Sequence, residues 1–179
     1  MPRKTSAPSP APAAPAKKKS QTAGTAPAAV PETGRVDAAT LDALMRADHG
    51  DPFAVLGMHH TGTALVVRAL LPGAAEVELL DALGRRLCAL TRQESSALFT
   101  GAVPRRRNPF EYRLRIRWTD AEGRALEPVV VDDAYRFAPL IRDTDLYLLA
   151  EGTHHRPYEW MGAHPQIHEG TGGTRFVVW

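Results

Sequence analysis

Short apolar runs alternate with turn signals over the middle of the chain. The runs are Ala64–Leu71, Val77–Leu80, Arg86–Leu90 and Leu98–Val103. Pro72-Gly73, the segment from Asp81 to Gly84, and Pro104 separate or end them. Strands of this length at this spacing are typical of a β-sandwich. The pattern therefore predicts a mostly β fold, an immunoglobulin-like sandwich with short flanking helices.

The clearest predicted strand is Phe110–Trp118, in which apolar and charged residues alternate strictly. One face carries Phe110, Tyr112, Leu114, Ile116 and Trp118, and the other carries Glu111, Arg113, Arg115 and Arg117. Successive side chains of a strand point to opposite faces. We expect a buried face and a solvated face, and a further strand at Val129–Val131.

Two segments follow a helical period instead. Asp37 is placed to cap a helix whose apolar positions are Leu41, Leu44 and Met45, with Gly50 and Pro52 as its predicted end. The next segment, Asp51 to His59, is predicted to be a structural corner. A second helix is expected between Asp143 and Glu151, ended by Gly152.

The remaining segments give the predicted division into parts. Residues 1–34 are rich in Ala, Pro, Ser, Thr and Lys, so we expect a disordered tail. Residues 35–141 are the predicted sandwich, and 142–173 a helix followed by an irregular linker. Residues 174–179 resemble a strand that stops abruptly, and we expect it to be the first strand of a truncated second sandwich.

Composition supports a cytoplasmic protein without a membrane span. The 179 residues carry a formal net charge of +2, and no apolar run reaches the length of a spanning helix. The N-terminus lacks the continuous apolar stretch of a secretory signal. A single cysteine, Cys88, cannot form an intrachain disulfide and is expected to be a packing residue.

The polar residues suggest no catalytic or metal site. Seven histidines lack the spacings of zinc sites, with His164 and His168 separated by Pro165. A nucleophile elbow and a phosphate-binding glycine loop are also missing. Asp132-Asp133 are adjacent carboxylates, but neighbours in a strand point apart, so a capping or turn role is predicted. We expect no catalytic, cofactor-binding or metal-binding residues in these 179 positions.

A basic run, Arg105-Arg106-Arg107, continues into the arginines of the Phe110–Trp118 strand. Arginines interleaved with aromatics occur in single-stranded nucleic-acid binders. Here the aromatics lie on the opposite face, which favours a solvated face or a docking face for another domain of the same polypeptide. Trp118 and Trp160 are candidates for stacking on sugar rings, although Trp118 lies in the core phase and Trp160 could pin the linker.

Ordered motifs from about Leu41 to the end resemble the amino-terminal portion of bacterial glycogen branching enzymes. They are Asp51-Pro52-Phe53-Ala54-Val55-Leu56-Gly57-Met58-His59, Val67-Arg68-Ala69-Leu70-Leu71-Pro72, Val103-Pro104-Arg105-Arg106-Arg107-Asn108 with Phe110 and Tyr112, Asp132-Asp133-Ala134-Tyr135-Arg136-Phe137-Ala138-Pro139-Leu140-Ile141, Glu151-Gly152-Thr153-His154 with Arg156-Pro157-Tyr158-Glu159, Gly162-Ala163-His164, and Gly173-Thr174-Arg175-Phe176-Val177-Val178-Trp179. Ala134 and Ala138 stand where the family has a proline and a glycine.

The resemblance implies a parent enzyme that transfers α-1,4-glucan segments to make α-1,6 branches. It implies that the catalytic aspartate and glutamate belong to a barrel domain outside these residues, so that this chain alone is inactive. Its implied partners are glucan and the other domains of the polypeptide, with no membrane and no nucleic acid. The alternative is a stand-alone polysaccharide-binding or adaptor sandwich.

Overall fold

The computed structural model describes residues 32–62 and 64–178. The predicted tail up to residue 31, Thr63 and Trp179 lie outside the described residues. Residues 32–62 and 64–178 contain two α-helices, α1 (Ala38–Met45) and α2 (Asp143–Ala150). The strands are β1 (Gly57–Thr61), β2 (Ala64–Leu70), β3 (Ala74–Asp81), β4 (Arg86–Arg92), β5 (Leu98–Ala102), β6 (Tyr112–Trp118), β7 (Val129–Asp132), β8 (Gly162–His168) and β9 (Thr171–Val177).

Seven strands form one curled antiparallel sheet, in the order β1-β2-β5-β4-β3-β6-β7. β4 connects its two halves: Arg86 to Leu90 pair with β3, whereas Thr91 and Arg92 pair with β5. The sheet thereby folds over itself as two layers around one core. The predicted mostly β sandwich with flanking helices is confirmed.

The core lies between these layers and follows the predicted alternation. On β6, Tyr112, Leu114 and Ile116 are at most 2% exposed. They pack with buried residues of β2, β3 and β5, among them Leu65, Val67, Val77, Leu79 and Phe99. Phe110 lies before the strand begins and is half-buried, as are Trp118 and Cys88. Burial raises the pKa of the Cys88 thiol.

α1 begins as predicted and ends differently. The Asp37 carboxylate accepts a hydrogen bond from the Thr40 amide at 2.9 Å, and Leu41 and Leu44 pack against Leu56 and Leu98. The predicted end at Gly50 is wrong. The helix stops at Met45 because the Asp48 and Ala47 amides donate back to Ala43 and Leu44 in a Schellman motif, with Ala47 at φ 55°.

Met45 itself departs from the predicted apolar stripe. It is 47% exposed, since the helix presents only Leu41 and Leu44 fully to the sheet.

The predicted corner is present and leads directly into β1. Pro52–Ala54 form a 3₁₀ turn capped by Asp51, and Gly57 follows with φ 90°. A Cβ at position 57 would lie 2.6 Å from the Tyr135 carbonyl oxygen. Glycine is therefore required where the corner packs against the segment that follows β7.

The first described residues are tied to the sandwich rather than extended away from it. Glu32–Gly34 form a 3₁₀ turn, and the Gly34 carbonyl accepts hydrogen bonds from Arg68 at 2.9 Å and Thr100 at 3.1 Å. The buried amide of Gln93 bonds both the N–H and the C=O of Val36. Glu32–Gly34, the end of the range predicted as tail, thus lie against the sheet.

The unit made of α1, the corner and the β1–β2 hairpin occurs twice. α2 starts at Asp143, 105 positions after Ala38, and the turn Pro157–Glu159 and the strand start Gly162 follow at the same offset. We call residues 37–68 the first copy and residues 142–177 the second copy. From the start of the helix to the first residue of the hairpin, both copies have the same elements in the same order, with no insertion or deletion between them.

Fine geometry agrees as well. Gly57 and Gly162 have φ values of 90° and 92°. The His59 ring donates to the Leu56 carbonyl at 2.8 Å, and the His164 ring donates to the Met161 carbonyl at 2.7 Å. α2 also ends in a Schellman motif, in which Gly152, with φ 71°, takes the place of Ala47.

The second copy corrects the predicted irregular linker. Residues 162–173 are mostly strand, because β8 and β9 pair along their whole length from Gly162↔Val177 to His168↔Thr171. The strand predicted for residues 174–179 begins earlier, at Thr171. The helix predicted between Asp143 and Glu151 is confirmed as α2.

No helix among the described residues is long and apolar enough to span a membrane.

Candidate functional site

The arginines of β6 are paired with acids on neighbouring strands. Arg115 Nε lies 3.1 Å from Glu78, Arg117 Nε 3.4 Å from Glu76, and Arg113 Nε 3.5 Å from Asp132. Each pair is directly opposite in the strand register. Cross-strand pairs of opposite charge stabilise a sheet by roughly 0.2–1 kcal/mol each. Arginines and acids are balanced on this outer face, which disfavours the interpretation of these arginines as a nucleic-acid-binding surface.

One residue of the basic run after β5, Arg106, packs against a neighbouring turn. Arg106 lies over the Phe110 ring at 4.0 Å, and its guanidinium is 4.0 Å from the buried Asp81 carboxylate. Asp81 also accepts hydrogen bonds from the Arg85 side chain and from the Leu83 and Arg85 amides. The bond from the Arg85 side chain is the largest cause that lowers the pKa of Asp81. The arrangement is that of a capped hairpin turn.

The adjacent carboxylates Asp132 and Asp133 have separate structural roles. Asp133 is 6% exposed, accepts a hydrogen bond from the Tyr112 hydroxyl at 2.6 Å, and caps the following turn through the Tyr135 amide at 3.0 Å. Burial raises the pKa of Asp133 and that of Tyr112. Asp132 instead pairs with Arg113 and Arg136. The predicted capping or turn role is therefore confirmed for Asp133 but not for Asp132.

Five of the seven histidines form hydrogen bonds with main-chain groups. His59, His164 and His168 face main-chain carbonyls through Nε2, and Nδ1 of His49 and His154 accepts from the amides of Asp51 and Arg156. Within residues 32–62 and 64–178, no group of three His, Cys, Asp or Glu side chains is arranged around a common point. His49, His59, His154 and His164 stabilise nearby corners and turns, whereas His168 contacts the more distant segment after β7.

Neither of the two tryptophans singled out above, Trp118 and Trp160, offers a free ring. Trp118 packs on the edge of the core. Trp160 is 8% exposed and sits edge-on to His154, with Nε1 3.1 Å from Nε2 of that ring. His154 also bonds Asp145 of α2 at 3.1 Å, and this bond is the main cause that lowers the pKa of Asp145. Trp160 therefore joins α2 to the turn that follows it.

The exposed aromatic rings are others, which the sequence did not single out. Tyr147, Tyr158 and Phe176, all in the second copy, are 60%, 66% and 73% exposed. The signal for Tyr158 was available, since it lies 105 positions after Phe53 in the repeated turn. A separate cleft of about 270 Å³, mostly apolar, lies between the segment after β7 and the β8–β9 hairpin, and its lining includes Phe137, Leu140, Gln166, His168, Thr174 and Arg175.

Comparison with known proteins gives two findings. The model of the family described as "alpha-1,4-glucan branching enzyme GlgB, N-terminal domain" matches residues 37–135. Among solved structures, an apo pullulanase from Klebsiella pneumoniae is similar over 52% of this chain and 10% of that chain, at 22% identity and a TM-score of 0.37. The chain therefore spans about a tenth of the pullulanase.

Proposed function

This chain belongs to the family of N-terminal domains of alpha-1,4-glucan branching enzymes, and on that premise we propose that its parent is a branching enzyme of glycogen biosynthesis. The parent transfers α-1,4-glucan segments and forms α-1,6 branches, in the cytoplasm and without a cofactor. The observation that carries the proposal is the extent of the match. Residues 37–135 run from the cap of α1 to the turn beside Gly57, and they include all seven strands of the sandwich, β1 to β7.

We assign the sandwich a non-catalytic role in that enzyme. Glycoside chemistry of this type needs two carboxyl groups flanking the scissile bond, about 5–5.5 Å apart in retaining enzymes. The buried carboxylates of the sandwich, Asp81 and Asp133, are instead engaged by the turn of Arg85 and by Tyr112. The transfer chemistry is the work of another domain of the parent.

The second copy supports a particular domain order. We propose that residues 1–31 are a tail, that the sandwich domain runs from residue 32 to residue 141, and that a second sandwich opens at Arg142. In the first copy, Val67 pairs with Met58 and is fully buried; the equivalent pair in the second copy is Phe176 and Ala163. Phe176 thus occupies a core position of a sandwich, which the following strands of such a domain would cover.

The role of this segment is to engage glucan and to influence the length of the chain that is transferred. The exposed Tyr158 ring offers stacking to sugar rings, and the Gln166 and Thr174 side chains in the cleft beside β8 and β9 offer hydrogen bonds. The balanced face of β3 and β6 suits docking against the catalytic domain, because paired arginines and acids carry little net charge into an interface.

Native gels containing glycogen test glucan engagement. The chain should be retarded by glycogen, and the retardation should persist at high salt, since stacking is not screened whereas phosphate-type contacts are. Tyr158→Ala should reduce it. Leu83→Ala is the matched control, because Leu83 is 78% exposed on a turn of the sandwich and away from the cleft. Retardation that salt abolishes would support polyanion binding instead.

Branching assays test the non-catalytic role. The 179-residue chain should leave the iodine stain of amylose unchanged, and robust branching by it would contradict the assignment. In the parent enzyme, deletion of residues 37–135 should preserve branching and shift the length distribution of the transferred chains. An unchanged length distribution would contradict the proposed influence on the length of the transferred chains.

A further inference from the structure

The two hairpins of the repeated unit differ in length. β1 and β2 form five residue pairs, from Gly57↔Arg68 to Thr61↔Ala64. β8 and β9 form seven, from Gly162↔Val177 to His168↔Thr171. When the hairpins are aligned at Gly57 and Gly162, the second extends further by two pairs. This extra tip consists of Ile167, His168, the turn residues 169–170, Thr171 and Gly172.

The extra tip contacts the segment that leaves the first sandwich. Glu169 Oε1 accepts a hydrogen bond from the Ala138 amide at 3.1 Å, and His168 Nε2 donates to the Ala138 carbonyl at 3.1 Å. Both backbone groups of one residue are thus held by side chains of the tip. Since a backbone N–H and C=O are usually satisfied by secondary structure, this pairing replaces a strand partner.

Arg136 extends the contact to the sandwich itself. Its Nη2 lies 3.4 Å from Thr171 Oγ1 and 3.4 Å from Asp132 Oδ1 at the end of β7. Its side chain is only 7% exposed and lies over the Phe137 ring at 4.1 Å, while that ring faces His168 at 5.8 Å. Arg136 therefore contacts the sandwich and the extra tip at once.

The turn at the end of the extra tip has a strained backbone. Glu169 and Gly170 have φ values of 46° and 78°, so both central residues of the two-residue turn are in the left-handed region. Asn-Gly and Gly-Gly are the pairs that such type I′ turns favour, and a glutamate there is strained. Strain of this kind is retained where the side chain has a role. The Glu169 carboxylate accepts a hydrogen bond from the Ala138 amide. It also lies 3.7 Å from the His168 ring, which contacts the carbonyl of the same alanine.

We propose that the extra tip is a clasp that fixes the orientation of the second copy on the first sandwich. His168 and Glu169 hold Ala138, and Thr171 holds Arg136. Hydrophobic burial does not explain the extension, because Ile167 at the tip is 80% exposed. The occupant of this surface is the chain's own segment from Arg136 to Ala138. The clasp thereby sets the direction in which the polypeptide continues from one copy to the next.

Glu169→Asn tests the clasp separately from the folding of the hairpin. Asn-Gly suits the turn better than Glu-Gly, and its side chain is one methylene too short for the contact. The amides of the β8–β9 pairs should keep their protection from hydrogen exchange, while the Ala138 amide loses roughly three- to tenfold, as expected for one hydrogen bond. Glu169→Gln retains an acceptor oxygen at the same reach and should restore the protection.

Spin labels report the orientation itself. In a Cys88→Ala background, labels at Ala121→Cys in the sandwich and Thr153→Cys in the second copy should give one narrow distance distribution. His168→Ala combined with Glu169→Asn should at least double its width, and Ile167→Ala, the matched control, should leave it unchanged. The proposal is overturned if the double variant keeps the narrow distribution, or if the unmodified chain already shows a broad one.

Discussion

The first and second copies share one local structure and differ in what covers them. Leu41 and Leu44 of α1 are 8% and 4% exposed because β5 and the corner pack on them. In α2, Leu146 at the position of Leu41 is 41% exposed, and the β9 residue Phe176 is 73% exposed. Caps, turns and special backbone angles therefore form in both copies, whereas burial depends on the opposing sheet. Local sequence specifies the unit, and tertiary contacts supply most of its stability.

Truncating an equivalent leucine in each helix should give the largest difference in stability loss between the two copies. Leu44→Ala removes a buried side chain and should lower the free energy of unfolding by about 2–5 kcal/mol. Leu149→Ala, at the equivalent position of α2, should cost under about 1 kcal/mol, since its partners cover it only in part. Urea denaturation followed by far-UV circular dichroism measures both. Equal losses would show that α2 is as well packed as α1.

The paired glycines should respond differently to the same substitution. Gly57→Ala meets both an unfavourable φ and the Tyr135 carbonyl at 2.6 Å, so it should cost more than the roughly 1–2 kcal/mol of left-handed strain alone. Gly162 has a similar φ, but a Cβ added there would meet no atom within 4 Å. Gly162→Ala should therefore cost the strain alone. Thermal unfolding compares the two, and an equal cost would mean that Gly57 has no packing role.

Exchanging alanine and glycine at the ends of the two helices should change the stability of the two copies in opposite directions. Ala47 and Gly152 occupy the same position of the two Schellman motifs, at φ 55° and 71°. Ala47→Gly should stabilise the first copy and Gly152→Ala should destabilise the second, each by about 1 kcal/mol. Denaturant midpoints for the first, and exchange rates of the α2 amides for the second, report these changes. The same sign in both would refute the shared motif.

Acid should weaken both copies, through different carboxylates. The pKa of Asp37 is lowered mainly by the Thr40 amide, and that of Asp145 mainly by His154. A carboxylate whose folded pKa lies below its unfolded value of 3.8 stabilises the fold above that pH, and this contribution disappears as pH falls through the folded pKa. Stability should decline below about pH 4. Asp37→Asn, which preserves a cap, should flatten this decline for α1 only.

Sequence reasoning succeeded where the side-chain pattern itself determines structure. The strict alternation of Phe110 to Trp118 predicted β6 and its two faces, although the strand begins only at Tyr112, and Asp37 with Leu41 predicted the start of α1. It did not predict the end of α1, because alanine at position 47 is not a usual left-handed residue. It also missed β8, where His, Pro and Gly have low strand propensity.

The contacts of the candidate site were harder to predict from the sequence than the fold was. The pairing of Arg115 with Glu78 depends on strand register, which the sequence does not state. The contacts of His168 and Glu169 with Ala138 depend on how one copy lies on the other. The repeat at an offset of 105 positions was the one available signal, and it is carried by few identical residues, among them Pro52 with Pro157 and His59 with His164.

Native-state hydrogen exchange measured along the 179-residue chain tests the comparison most directly, because both copies are followed in one sample. Amides of α1 and β1 should exchange only through global unfolding, whereas those of α2 and β8 should exchange more than about 100-fold faster through local opening. Equal protection in the two copies would contradict the account, since it would mean that the second copy is as fully covered as the first.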